Sequence, residues 1–135
     1  MPIKSFRDLV AWQEAHALAH LAYDVADGLP EYEQHAPASQ VRRAATSVHG
    51  NIAEGFCTGT RPKFLNHLRM ARGSLTELES CLQFVSDRRS APIPDNLDEQ
   101  RVQAGRVLQA LITSLERSQR PGPGGKKHRP PNTDH

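Results

Sequence analysis

A chain of 135 residues is about one domain's worth, long enough to bury a core without disulfide or metal staples. Aromatics are only 5% of it while Ala, Leu, Gln, Glu and Arg abound, which favours helices packed through aliphatic seams and argues against a β-sandwich. The formal charge of +2 excludes a strongly polyionic body, and no apolar run approaches the roughly 18 residues that cross a bilayer.

Met1-Pro2-Ile3-Lys4-Ser5 has no apolar leader segment, so the expectation is a cytoplasmic protein with no membrane partner. In that setting Cys57 and Cys81 are expected as free thiols. Ser5-Phe6-Arg7-Asp8 fits a capping box and predicts a first helix starting there. Leu9, Trp12, Ala15, Ala19, Ala22 and Ala26 keep helical spacing, with Leu18, Leu21 and Val25 widening the stripe. The helix should end near Gly28, which suits a left-handed C-cap, before Pro30.

Glu31 to Ala36 reads as a polar connection, and Pro37 suits the first turn of a second helix. Its seam is Val41, Ala45, Val48 and Ile52. Gly50 inside that helix predicts close approach of another backbone or a local bend, and Gly55 or Gly59 should end it. Thr60 is the expected N-cap of a third helix, with Pro62 in its first turn. Phe64, Leu68, Ala71, Leu75, Leu78, Leu82 and Val85 then repeat in steps of four and three, the strongest periodic signal in the chain.

Ser90-Ala91-Pro92-Ile93-Pro94 breaks the pattern, and Asp95 or Asn96 can cap a fourth helix. Its seam reads Leu97, Ala104, Leu108, Leu111 and Leu115, flanked by Val107 and Ile112. Four helices joined by short loops predict an all-α, antiparallel up-down-up-down four-helix bundle over residues 1–118. Residues 119–135 are expected to be a basic, disordered Pro/Gly-rich tail, because seven of the eleven residues from Pro121 to Pro131 are Pro or Gly and none is large and apolar.

Charge is unevenly spread. Residues 1–34 hold two basic and six acidic side chains, whereas residues 35–75 hold six basic ones and only Glu54 on the acidic side. Arg42, Arg43, Arg61, Lys63, Arg69 and Arg72, with Lys126, Lys127 and Arg129 of the tail, are therefore candidate phosphate contacts for RNA or DNA. The other reading pairs these arginines with carboxylates of the first and fourth helices or of neighbouring subunits, which suits a protein–protein adaptor or scaffold. Asn51 and Glu54 on the second helix, and Ser74 and Glu77 on the third, are candidates for a polar layer that fixes helix register or an oligomer interface.

Catalytic patterns are weak. His16, His20 and Asp24 share one helix face, but no matching ligand set stands elsewhere, so no metal site is assigned. No Glu-x-x-His of a di-metal bundle occurs. Cys57 and His49 lack a third group to orient them as a catalytic pair. Gly55 to Thr60 lacks the Gly-Lys-Ser/Thr of a phosphate loop. The expectation is a non-enzymatic protein without a cofactor, with Trp12 and Tyr23 as core or interface anchors.

One set of residues resembles a known family: Asp8-Leu9-Val10, Trp12-Gln13, Arg42-Arg43-Ala44-Ala45, Ser47, Asn51-Ile52-Ala53-Glu54-Gly55, Gly73-Ser74-Leu75 and Glu77-Leu78. The chain is similar to the four-helix-bundle proteins encoded in intervening sequences of bacterial 23S ribosomal RNA genes, to which the accessory variability determinant of diversity-generating retroelements is related. This resemblance implies a ring-shaped homopentamer without enzymatic activity, nucleic-acid partners and, in the retroelement branch, a reverse transcriptase. It singles out Arg42 and Arg43 as the first candidate contacts. The chain departs from the family pattern with His49-Gly50 in place of the usual Pro-Ser, and with Cys57-Thr58 in place of Gly-Arg.

Overall fold

The computed structural model describes residues 2–118, and the tail residues 119–135 lie outside the described residues. Four α-helices carry the fold: α1 (Val10–Asp27), α2 (Ser39–Phe56), α3 (Arg61–Arg88) and α4 (Leu97–Ser118), with no strand among the described residues. Each packs on its two neighbours, closing the ring α1–α2–α3–α4, and the α2/α3 interface is the most extensive. This is the antiparallel up-down-up-down bundle expected from the apolar periodicity.

The Ser5/Asp8 capping box forms, but it does not open α1. It closes a 3-10 turn over Phe6–Asp8, after which Leu9 is extended (φ −75°, ψ 125°) and α1 begins at Val10. The Asp8 carboxylate accepts from the Lys4 and Ser5 amides, and the Gln13 side chain donates to the Arg7 carbonyl. The turn thus has its own satisfied polar groups, and Phe6 lies edge-on to Trp12 at 5.2 Å. Gly28 departs from its expected left-handed cap: it keeps right-handed angles (φ −84°, ψ −5°). The bend out of α1 comes from extended Pro30 instead (φ −60°, ψ 158°).

The connection to α2 is itself helical, a 3-10 turn over Glu31–Glu33 and a wide π-type turn over Gln34–Ala38 that contains Pro37. Pro37 therefore precedes α2 rather than standing in its first turn. Gln34 holds the connection by donating to the carbonyls of Ala26 (3.0 Å) and Leu29 (2.9 Å). At the next connection Thr60 caps α3 by accepting from the Lys63 amide, and Gly59 takes a positive φ of 85° that favours glycine. Arg89 ends α3 in the left-handed region (φ 51°, ψ 40°).

The core is aliphatic: Leu18, Ile52, Leu68, Leu78, Leu108 and Ile112 are the largest fully buried side chains. Each contributes roughly 1.5–3 kcal/mol of transfer free energy. Two seam positions differ from the heptad reading. Leu65 is buried where Phe64 is only partly so, and Ile112 is buried while Leu111 and Leu115 are half-covered. On α4 the buried residues Ala104, Leu108 and Ile112 recur in steps of four, the drift of a straight 3.6-residue helix away from a strict heptad.

Gly50 has no close neighbour; a Cβ there would meet nothing within 4 Å. The close approach expected of it occurs at Gly55, where a Cβ would lie 2.5 Å from His67 Cβ and 3.1 Å from the Phe64 ring. The reason is geometric: Gly50 points between α2 and open space, while Gly55 sits where α2 converges on α3 beside their short loop.

Candidate nucleic-acid interface

The α2/α3 interface carries a small polar cluster on its outer side. Ser47 Oγ and Ser74 Oγ are 2.8 Å apart, and Asn51 Nδ2 donates to the Ser47 carbonyl (2.9 Å) and hydroxyl (3.1 Å). Of the four candidates for such a layer, the structure brings Asn51 and Ser74 together through Ser47. Glu54 and Glu77 are exposed and outside the cluster, and the Glu54 carboxylate is 3.8 Å from His67 Nε2. Ser47 was missed as a member, although its place one helical turn before Asn51 was the available signal.

The candidate cations divide into two groups. Arg42 turns across to the end of α1, where its guanidinium donates to Asp27 Oδ1 (2.8 Å) and Gln34 Oε1 (3.1 Å) and lies over the Tyr23 ring at 5.8 Å. Its side chain is 28% exposed, so most of its donor surface is already covered. Arg69 pairs with Glu116 of α4 at 2.8 Å, and Arg72 donates to Gln109 of α4 at 3.0 Å. Arg43, Arg61 and Lys63 are exposed and in no ion pair or side-chain hydrogen bond among the described residues. Lys126, Lys127 and Arg129 lie outside the described residues.

Topology sorts these charges by end. The α2–α3 loop places Arg61 and Lys63 at one end of the bundle, and antiparallel packing brings the last turn of α4, with Arg117, to that same end. No acidic residue stands in the first turn of α3. The opposite end, built by the α1–α2 and α3–α4 connections, carries Asp24, Asp27, Glu31, Glu33, Asp87, Asp95 and Asp98 beside the exposed Arg88 and Arg89, while Glu54 and Glu116 stand among the cations of the first end. There Arg101, which sequence reasoning did not single out, ties α4 to α3: it donates to Glu79 (2.7 Å) and Asp98 (2.8 Å). Those bonds, Asp98 foremost, push its guanidinium further toward the protonated form.

A cluster of rings stands on the α1/α2 seam. His16 stacks on Trp12 at 4.5 Å and meets His20 edge-on at 4.7 Å and His49 of α2 at 5.3 Å. Burial, followed by the neighbouring His16 and His20, lowers the pKa of His49 below the ordinary imidazole value. Asp24 stands in the adjoining cleft with His20, Tyr23, Asp27, Thr46 and His49. Among the described residues no group of three His, Cys, Asp or Glu side chains is placed to hold a metal ion. Cys57 is exposed and Cys81 half-buried, and both are free. No helix of the described residues is long and apolar enough to cross a membrane.

Fold and surface together define a small antiparallel helical bundle with an aliphatic core, a serine–asparagine cluster and polarised ends. Within that class the assignment is specific: residues 7–111 match the model of the 23S rRNA-intervening sequence protein family, and the chain belongs to that family. A solved relative has the same fold, a protein of unknown function from the S23 ribosomal protein family of Bacteroides thetaiotaomicron VPI-5482. It is 20% identical, with 80% of this chain and 93% of that chain covered and a TM-score of 0.51. No curated protein matches the chain.

Proposed function

We propose that this protein is a non-enzymatic, homo-oligomeric bundle of the cytoplasm that binds RNA or DNA through the basic end formed by Arg61, Lys63 and Arg117. The observation that carries this reading is the unpaired state of those exposed cations at one end, opposite an end rich in carboxylates. Arg120, Lys126, Lys127 and Arg129 follow Ser118 in the sequence and add positive charge to the chain beyond α4. Arg43 offers a further free cation on α2. Phosphate binding of this kind is electrostatic and sequence-tolerant, because the cations meet backbone rather than base edges. Association as a homopentamer and engagement of a reverse transcriptase follow from the family resemblance and belong to the same proposal.

A fluorescence-anisotropy titration of single-stranded RNA and duplex DNA at several salt concentrations tests it. Affinity should fall steeply with salt, and Arg61→Ala with Lys63→Ala should flatten that slope by about one per cation removed. Binding that ignores salt, or that survives unchanged in the double variant, refutes the basic-end reading.

A second reading draws on the pairing of Arg42, Arg69 and Arg72 with neighbouring helices. Arginines engaged in this way support an adaptor or scaffold whose cations hold the bundle together rather than meet phosphate. It predicts that the Arg61/Lys63 double variant leaves self-association in light scattering and all partner binding unchanged.

A further inference from the structure

We propose that His16, His20 and His49 form a proton-sensitive latch on the α1/α2 seam, holding α1 against α2 when neutral and loosening that seam as protons bind. His16 lies at the centre, its ring centroid 4.7 Å from that of His20 and 5.3 Å from that of His49, so a charged His16 faces a second charge on either neighbour at about 5 Å. His49 belongs to α2 and the other two to α1, so repulsion between the imidazolium rings acts across the seam as well as along α1. Neutral, the three rings and Trp12 make a continuous stacked and edge-to-face contact between the helices.

Compensating charge is scarce. On α1, Asp24 stands one turn beyond His20 and in no ion pair, so one proton at exposed His20 has a counter-charge. Asp27, also in the cleft, is engaged by Arg42 of α2. Besides His49 and that Arg42, α2 adds Thr46 to the cleft. In the turn before α1, the Arg7 guanidinium lies over Phe6 and Asp8 accepts from backbone amides. From α4, Gln100 meets Glu14 on another face of α1, and α3 and α4 pair with each other through Arg69–Glu116 and Arg101–Glu79. A second or third proton in the cluster therefore has no partner.

The sign follows from linkage. An unfolded histidine titrates at about 6.5, and burial holds His49 below that in the fold. The unfolded chain then binds more protons in the window between the two values, so stability is complete above that window and falls as the pH drops through it.

The test compares denaturant unfolding midpoints of the full chain at pH 7.5 and pH 5.5, with Trp12, the sole tryptophan, reporting locally. The wild type should show a lower midpoint at pH 5.5 and a change in Trp12 emission on acidification. The His16→Gln/His49→Gln double variant should lose more than half of that midpoint shift, while His67→Gln retains it. An equal wild-type midpoint at both pH values, or a full shift in the double variant, overturns the latch. Should the double variant fail to fold, hydrogen exchange of the wild type decides. Selective loss of protection at Trp12–His20 and Thr46–Gly50 on acidification supports the proposal, and loss spread evenly over all four helices overturns it.

Discussion

Gly55 of α2 rests against His67 of α3 with no room for a side chain, since a Cβ on the glycine would stand 2.5 Å from the His67 Cβ. The two Cβ-bearing backbones would have to separate, because His67 Cβ is not the movable end of a long side chain. Gly55→Ala should therefore destabilise the bundle by about 1–2 kcal/mol, an overpacking cost of roughly 1–3 kcal/mol partly offset by the better helix propensity of alanine. Gly50→Ala should do the reverse and add about 0.5–1 kcal/mol, because nothing lies within 4 Å of its Cβ and only the propensity gain remains. Urea midpoints of the two variants should move in opposite directions, and equal signs would show that the helix contact at Gly55 is misassigned.

These glycines also mark where sequence reasoning stops. A helical stripe such as Leu68, Leu75, Leu78, Leu82 and Val85 is written into the period of one segment, so helices, their order and most of the core were legible. Which glycine meets a neighbour depends on where two helices converge, and no local pattern carries that. For Arg42 the sequence left two readings, a phosphate contact or a pair with a first-helix carboxylate, and it could not choose between them because Asp27 and Gln34 reach the arginine only through the folded-back connection. The Ser5–Asp8 box was legible as a cap, yet a cap closes a short 3-10 turn as readily as a long helix. The pairing of His49 with the His16/His20 row was likewise hidden, because it joins two helices at positions that look like separate polar faces.

The Ser47–Ser74 contact is a half-buried hydrogen bond between helices, backed by Asn51. Ser47→Ala should cost about 1–2 kcal/mol because it removes the partner of the Ser74 hydroxyl and one acceptor of Asn51. Removing both hydroxyls should cost less than the sum of the single losses, since neither is then left without its mate. A double-mutant cycle by chemical denaturation reads the coupling directly. Strict additivity would show that the two hydroxyls are bonded to water instead.

The two thiols should differ in reactivity. Burial foremost, then the nearby Glu77 carboxylate, pushes the Cys81 thiol up, with Arg43 opposing the rise. Less thiolate and less access both slow attack, so an aromatic disulfide reagent at pH 8 should label exposed Cys57 well before Cys81. Arg43→Ala should slow Cys81 further by removing the one influence that favours its thiolate. An unchanged Cys81 rate in that variant would place Arg43 too far away to act on α3.

Arg42 and Asp27 separate a structural arginine from a binding one. The pair alone is worth little, since Asp27 is 65% exposed, and exposed ion pairs contribute about 0–1 kcal/mol. Arg42 also donates to Gln34, whose amide donates to the carbonyls of Ala26 and Leu29, so the arginine supports the whole turn from α1 into α2. Arg42→Ala should therefore destabilise by about 1 kcal/mol or slightly more, and more than Asp27→Asn, because it uncouples a partly buried network as well as an ion pair. Arg43→Ala should leave stability within about 0.5 kcal/mol of wild type, as expected for an exposed side chain without partners. If nucleic acid meets the basic end, Arg42→Ala should also change its affinity little at a temperature where the variant is folded. A large loss of affinity with unchanged stability would mean that Arg42 leaves Asp27 to reach phosphate, and would move the interface from the α2–α3 loop to the α1/α2 side of the bundle.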